Sequence, residues 1–307
     1  MDRRSFAITT LAGAALAALP RLANGATTQQ EDTSMTTTPA GRPAAGYAPV
    51  NGIEMYYQIH GTGRPLVLIH GGVGAFEMFG AILPALAEKH MVIGVDLQAH
   101  GRTLPHDRPM SWKNCATDIA ELIRWLGYDR ADIMGYSMGG MTALRTAIDH
   151  PEAVDRLVLV STGHAFSGWH DYNQQGMRAM SGALAETMKQ SPMYELYAQI
   201  APDPTLWATA LDQIGSLTSA DYDWTAEVPS VTSPTILIAG DWDSVRISHV
   251  TAMFELLGGG TQDAMWDGSG MNANRMAIIP GATHYSVFAD PRMVEAALGF
   301  LEMPAAS

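Results

Sequence analysis

The sequence predicts an α/β fold, and three observations carry that prediction. Six short runs, PLVLIH (65–70), MVIGVD (91–96), ADIMG (131–135), RLVLVS (156–161), TILIAG (235–240) and MAIIPG (276–281), are almost entirely apolar, as in strands buried on both faces of a parallel sheet. Helix-like stretches lie between them and supply the crossover connections that parallel strands need. Glycines gather where two of these runs end, in HGGVG (70–74) and GYSMG (135–139), so the chain can turn sharply there.

The 307 residues suffice for one large α/β domain or two small ones, and 47% of them are hydrophobic, so either would bury a sizeable core. Acidic residues number 31 against 18 basic, a net charge of −13, and no Lys/Arg cluster is present that could track a phosphate backbone. Nucleic acid is therefore not an expected partner, and the diffuse acidity reads as a solubility device. Cys115 is the single cysteine, which rules out an internal disulfide and a cysteine-based metal site.

Taken in order, the chain begins with MDRRSFAITTLAGAALAALPRLANGA (1–26), in which Arg3 and Arg4 precede an apolar run from Phe6 to Leu19, then Pro20 and small residues. The run is short for a bilayer span and ends in candidate processing sites after Gly25 or Ala26, the pattern of a cleavable export signal of twin-arginine type. The expected mature protein is periplasmic or secreted, with no stable membrane anchor. Residues 27–46 read as a flexible leader of Thr, Gln, Pro, Ala and Gly. From Tyr47, two strand-like runs flank Asn51-Gly52, a pair suited to a tight hairpin because both positions tolerate φ > 0. The main domain is expected over 47–161 and 230–303. Between Thr162 and Pro229 the alternation breaks for an interval too long to be a loop, which carries helix-like pieces of its own, MRAMSGALAETMKQ (177–190) and PTLWATALDQIGSL (204–217). This interval, 162–229, reads as an inserted helical cap. Its Phe166, Trp169, Tyr172, Met177, Met180, Tyr194, Tyr197, Trp207, Tyr222 and Trp224 contrast with Arg178 and Lys189 as its only cations. Most of these residues are expected to pack the cap onto the main domain, and some to line a pocket.

Ser137 stands where the run ADIMG gives way to helix-like spacing of Met141, Leu144, Arg145 and Ile148. A serine at such a turn presents its Oγ above the sheet edge, and the glycines around it let the backbone cross without Cβ clashes. Met138 begins the helix, so its N–H lacks an intrahelical partner and can point at a developing oxyanion. A nucleophilic serine needs a base, an orienting acid and a second oxyanion donor, each at the carboxyl end of a strand. HGGVG offers the amides of Gly72 and Val73, GDWDS offers Asp241 and Asp243, and GATHYS offers His284.

From Tyr47 to Leu301 the chain resembles the α/β-hydrolase superfamily, on the strand-GYSMG-helix unit, on HGG, and on the order Ser, Asp, His. The resemblance implies a mostly parallel central sheet flanked by helices, with the helical cap inserted above it. It implies Ser137 as nucleophile, His284 as base and Asp243 as acid, because the family's acid stands three residues after the glycine that ends the strand. Gly72 and Met138 would be the oxyanion amides, and no cofactor or metal is implied. Asp241 is then a turn or surface carboxylate, Asp96 and His100 in VDLQAHGRT shape the loop under the site, and His70 holds the HGG loop. His164 and His170 read as surface or core residues.

The implied reaction is hydrolysis of a carboxylic ester or lactone of a neutral, fairly apolar small molecule through an acyl-enzyme. The same residues support an aminopeptidase, since HGGVG resembles the HGGPG of proline iminopeptidases with Val73 in place of proline. They also support a perhydrolase or cofactor-free haloperoxidase, and carbon–carbon cleavage in diketones. The non-enzyme alternative is a noncatalytic ligand-binding homologue. A serine at 137 argues against the dehalogenase branch, which uses aspartate there. The sequence leaves the oligomeric state open.

One further segment, LGGGTQDAMWDGSGMNANR (257–275), is long for a helix-to-strand join and is expected to be an insertion near the mouth of the site. Its Asp263 and Asp267 lack the spacing of a calcium loop and read as solvated turn residues.

Overall fold

The computed structural model describes residues 40–304. The expected export signal and most of the leader lie outside the described residues. Eight strands form one sheet: β1 (Ala45–Val50), β2 (Ile53–His60), β3 (Arg64–Ile69), β4 (His90–Val95), β5 (Ala131–Tyr136), β6 (Val154–Val160), β7 (Thr235–Trp242) and β8 (Arg275–Thr283). Their spatial order is β1-β2-β4-β3-β5-β6-β7-β8. β2 is antiparallel to both β1 and β4, and every later pairing is parallel. Asn51 and Gly52, with φ of 44° and 82°, close the first hairpin and set Val50 opposite Ile53.

The uniformly apolar strands follow from burial on both faces, since successive side chains of a strand point to opposite sides. Leu66 and Leu68 of β3, with Val158 and Val160 of β6, join Met293, Ala297 and Phe300 of the helix Pro291–Leu301. Val67 and Ile69, with Leu157 and Leu159, face the other way and join the helices Trp112–Trp125 and Met138–Asp149. Burying each such side chain contributes about 1.5–3 kcal/mol, and neither face tolerates a polar replacement.

Between β6 and β7 the chain forms the helices Asp171–Ala179, Ala185–Met188, Pro192–Ile200 and Trp207–Thr218. The stretch 177–190, which reads as one helix in the sequence, is broken after Ala179. Ser181 and Gly182 are poor helix residues, and the Gly182 amide instead donates to Asp212 Oδ1 at 2.6 Å. The segment leaves and rejoins the rest of the chain through a paired neck. Phe166 N–H donates to Tyr222 O at 2.8 Å, Trp224 N–H donates to His164 O at 2.9 Å, and Ala165 bridges Asp223.

The loop 258–274 corrects the sequence expectation. It lies at the amino edge of the parallel strands, where Asn274 Oδ1 accepts the N–H of Thr235, the first residue of β7, at 2.8 Å. The reason is geometric: the helix Ile247–Leu256 starts beyond the carboxyl end of β7 and runs back along the sheet, so whatever joins it to β8 arrives at the opposite edge from Ser137. Asp263 and Asp267 accept the N–H groups of Met265 and Ser269, two residues on, in ordinary turns.

Candidate active site

Three connections at the carboxyl edge of the sheet converge. Ser137 follows β5 with φ 54° and ψ −118°, a strained conformation for a residue with a side chain. The surroundings enforce it, because Ser137 N–H donates to Val160 O at 2.9 Å and the turn is too tight for side chains on either flank. A Cβ at Gly135 would lie 2.2 Å from Gly139 O, and one at Gly139 would lie 2.2 Å from Ile69 O. GYSMG therefore needs its two glycines for close approach, and Ser137 Oγ is thrust upward.

His284 Nε2 stands 3.1 Å from Ser137 Oγ, and His284 Nδ1 is 2.8 Å from Asp243 Oδ1. His284 opens a short helix after β8, capped reciprocally by Thr283 and Ser286. Its backbone is tied down by Tyr136, the residue before the serine, whose Oη donates to His284 O at 2.8 Å. The ring of Trp169 meets the imidazole edge-to-face, with centroids 5.4 Å apart.

Asp243 is buried after β7. Its Oδ1 also accepts Val245 N–H at 3.1 Å, while Oδ2 accepts Ser161 Oγ–H at 2.5 Å and Gly240 N–H at 3.2 Å. Burial by itself would raise this carboxyl, but attraction to His284 and these hydrogen bonds outweigh it and hold the group below the usual carboxylate range. Asp241 is exposed and accepts Gly281 N–H at 2.8 Å, away from the imidazole. Ser161 and Tyr136 are the residues sequence reasoning missed.

Gly72 and Met138 both line the space above Ser137, and Met138 is the first residue of its helix, where an N–H has no partner four residues back. Val73, the other sequence candidate, is ruled out as a free donor: its amide donates to His100 Nε2 at 3.0 Å. That bond and the one from His100 Nδ1–H to Gln98 O at 2.9 Å fix a neutral ring, and burial lowers its pKa to about 3. His70 is held likewise, with Nδ1 2.7 Å from Gly71 O and Nε2 accepting Leu97 N–H at 3.1 Å. Asp96 accepts the amides of Phe76 and Arg102, both at 2.9 Å, and so joins the loops after β3 and β4. These three residues build the floor of the site and do not touch Ser137 Oγ.

Above Ser137 lies a cavity of about 790 Å³. Met78, Met138 and Met141 line it from the sheet side, and Met177, Met180, Met188 and Met193 from the helical segment. Among the described residues, no Asp, Glu, Lys or Arg lines it. Of the ten apolar residues singled out between 162 and 229, Trp169, Tyr172, Met177 and Met180 reach the cavity. Others pack among themselves, as Tyr222 does against Trp224 and Tyr197 against Trp207. Arg178 pairs with Asp221 at 2.6 Å, and Lys189 with Glu186 at 2.6 Å, both outside the cavity. His164, buried, stacks face to face on His249 at 3.8 Å beside the neck, and exposed His170 precedes the helix Asp171–Ala179.

Residues 64–192 match a family model described as the alpha/beta hydrolase fold. Over 116 residues the chain is 37% identical to a soluble epoxide hydrolase of Corynebacterium sp. (strain C12), covering 37% of this chain and 40% of that protein. Over 133 residues it is 31% identical to an sn-1-specific diacylglycerol lipase of Danio rerio, covering 41% and 42% respectively. The chain thus spans about two fifths of the length of these curated relatives. Among solved structures, the enol-lactonase from Burkholderia xenovorans LB400 superposes with a TM-score of 0.63 at 21% identity, over 84% of this chain and 100% of that one. Carboxylesterase CesB from Bacillus subtilis gives 0.64 at 19% identity, over 85% and 92%. With its mostly parallel eight-stranded sheet, the chain has the α/β-hydrolase fold.

Proposed function

We propose that the protein is a serine hydrolase that cleaves a carboxylic ester or lactone of a neutral, apolar small molecule. The observation that supports this reading is the line from Ser137 Oγ through His284 to Asp243, at 3.1 and 2.8 Å, beneath a cavity walled by methionines. In the proposed mechanism His284 Nε2 takes the Ser137 proton as Oγ attacks the carbonyl carbon. Asp243 keeps the Nδ1–H tautomer and stabilises the imidazolium. The amides of Gly72 and Met138 hold the tetrahedral oxyanion. His284 then delivers the proton to the leaving oxygen, and water, deprotonated by the same ring, releases the acid from the acyl-enzyme.

The cavity favours this class over an aminopeptidase, whose substrate amine needs a carboxylate that no lining residue supplies. Fluorophosphonate labelling of Ser137, together with a p-nitrophenyl acyl ester series, tests the reading. Labelling is expected in the wild type and not in Ser137→Ala. Each added acyl methylene should raise kcat/KM by up to about fourfold, corresponding to about 0.8 kcal/mol, until the cavity is filled. An unlabelled serine would refute the enzyme, and a preference for carboxylate-ended chains would refute the apolar pocket.

Export belongs to the same proposal, on the strength of Arg3, Arg4 and the short apolar run that follows. Protein taken from its native host should begin near Ala26 or Thr27, outside the cytoplasm. An intact Met1 on cytoplasmic material would refute it.

A further inference from the structure

The cavity wall has one polar corner that the mechanism does not use. Asn173, on the helix Asp171–Ala179, points its Nδ2 at Ser244 Oγ at 3.0 Å and Tyr285 Oη at 3.5 Å. All three residues line the cavity. Ser244 directly follows Asp243 and Tyr285 directly follows His284, with the imidazole and phenol centroids 5.3 Å apart. The corner therefore stands beside the imidazole.

Counting hydrogens shows what the corner offers. Asn173 supplies two amide hydrogens, and each hydroxyl supplies one. Because Asn173 Nδ2 donates toward both oxygens, each hydroxyl accepts there and keeps its own hydrogen for another partner. Both residues line the cavity, where a substrate oxygen can accept these hydrogens. Elsewhere the wall is mainly apolar, so these donors are placed where they discriminate.

We infer that Asn173, Ser244 and Tyr285 select the leaving-group half of the substrate, favouring esters or lactones that carry an ether or carbonyl oxygen close to the leaving oxygen. This rests on the serine-hydrolase reading, because His284 must protonate the leaving oxygen and so holds that half of the substrate beside the corner. The acyl half then occupies the methionine-lined space. The preference runs against simple partitioning, in which an ether oxygen in place of a methylene weakens transfer to an apolar site.

The test uses the full chain and two isosteric substrates, n-butyl butanoate and methoxyethyl butanoate, which differ by one methylene exchanged for an oxygen. Wild-type kcat/KM should favour the methoxyethyl ester by about tenfold, and Tyr285→Phe and Ser244→Ala should each bring that ratio to about one or below. A wild-type ratio already at or below one overturns the inference. So does a variant in which both esters slow equally while the ratio survives, since that marks a residue that only positions His284. Fluorophosphonate labelling of each variant shows that the fold and Ser137 are intact. A labelled enzyme without the ratio removes this inference alone, whereas absence of both labelling and turnover removes the hydrolase reading and this inference with it.

Discussion

Asp241 and Asp243 stand two residues apart in GDWDS, yet one is exposed and the other is buried against an imidazole. Asp243→Asn should therefore lower kcat by about ten-thousandfold, because the amide can stabilise the wrong ring tautomer and cannot balance an imidazolium. Asp241→Asn should stay within about threefold, since only a surface amide contact is weakened. Activity on one ester for both variants decides it, and a larger loss in the Asp241 variant would reassign the acid. Tyr136→Phe leaves the His284 carbonyl without its donor, and should lower stability by about 1 kcal/mol and kcat by about tenfold. Thermal unfolding and initial rates on the same preparation check both figures. The placement of Ser137, Asp243 and His284 was legible because each follows an apolar run, and because the glycines beside the serine reveal a turn. Tyr136 and Ser161 were not legible, since their meaning lies in bonds across 148 and 82 residues. A single sequence records no such distance.

At the level of elements, the strands were readable because burial on both faces leaves an unbroken apolar run, and the first hairpin because Asn51-Gly52 demands positive φ. The break after Ala179 was obscured by the helical spacing of the methionines around it. The loop 258–274 was misplaced for a different reason: its length was visible, but which edge of the sheet it occupies depends on counting crossovers. A join from helix to parallel strand always reaches the amino edge, and that rule held the answer. Deleting residues 261–271 while keeping Asn272 and Asn274, whose side chains bond Leu257 O, should leave the order of preference across the p-nitrophenyl ester series unchanged. The ratio between any two esters should stay within about twofold. A reordered series would return this loop to the substrate path.

Across the whole molecule, burial lowers the pKa of His60, His70, His90, His100, His164 and His249, with His249 falling to about 4. Unfolded, each of these rings takes its proton near pH 6.5, so below that pH the unfolded chain binds more protons than the folded one. Stability present at neutral pH is therefore lost as pH falls toward 4. Asp96, Asp118 and Asp132 act in the opposite sense, raised by burial, with Asp132 at about 6, but they are fewer. Tm should thus be highest near neutrality and fall steadily between pH 6.5 and 4.5, and a flat or rising profile in buffers of matched ionic strength would contradict this balance. The neck has a consequence of another kind. The chain departs at His164–Ala165 and returns beside itself at Tyr222–Trp224, so the residues between form a detour whose two ends already meet. Such a detour is portable: a foreign stretch of different length, spliced between 166 and 222, spans no new gap. The recipient would keep Ser137 and acquire a new ceiling, at the cost of the Trp169 ring that meets His284, which makes this junction the place where the cavity roof is most readily exchanged.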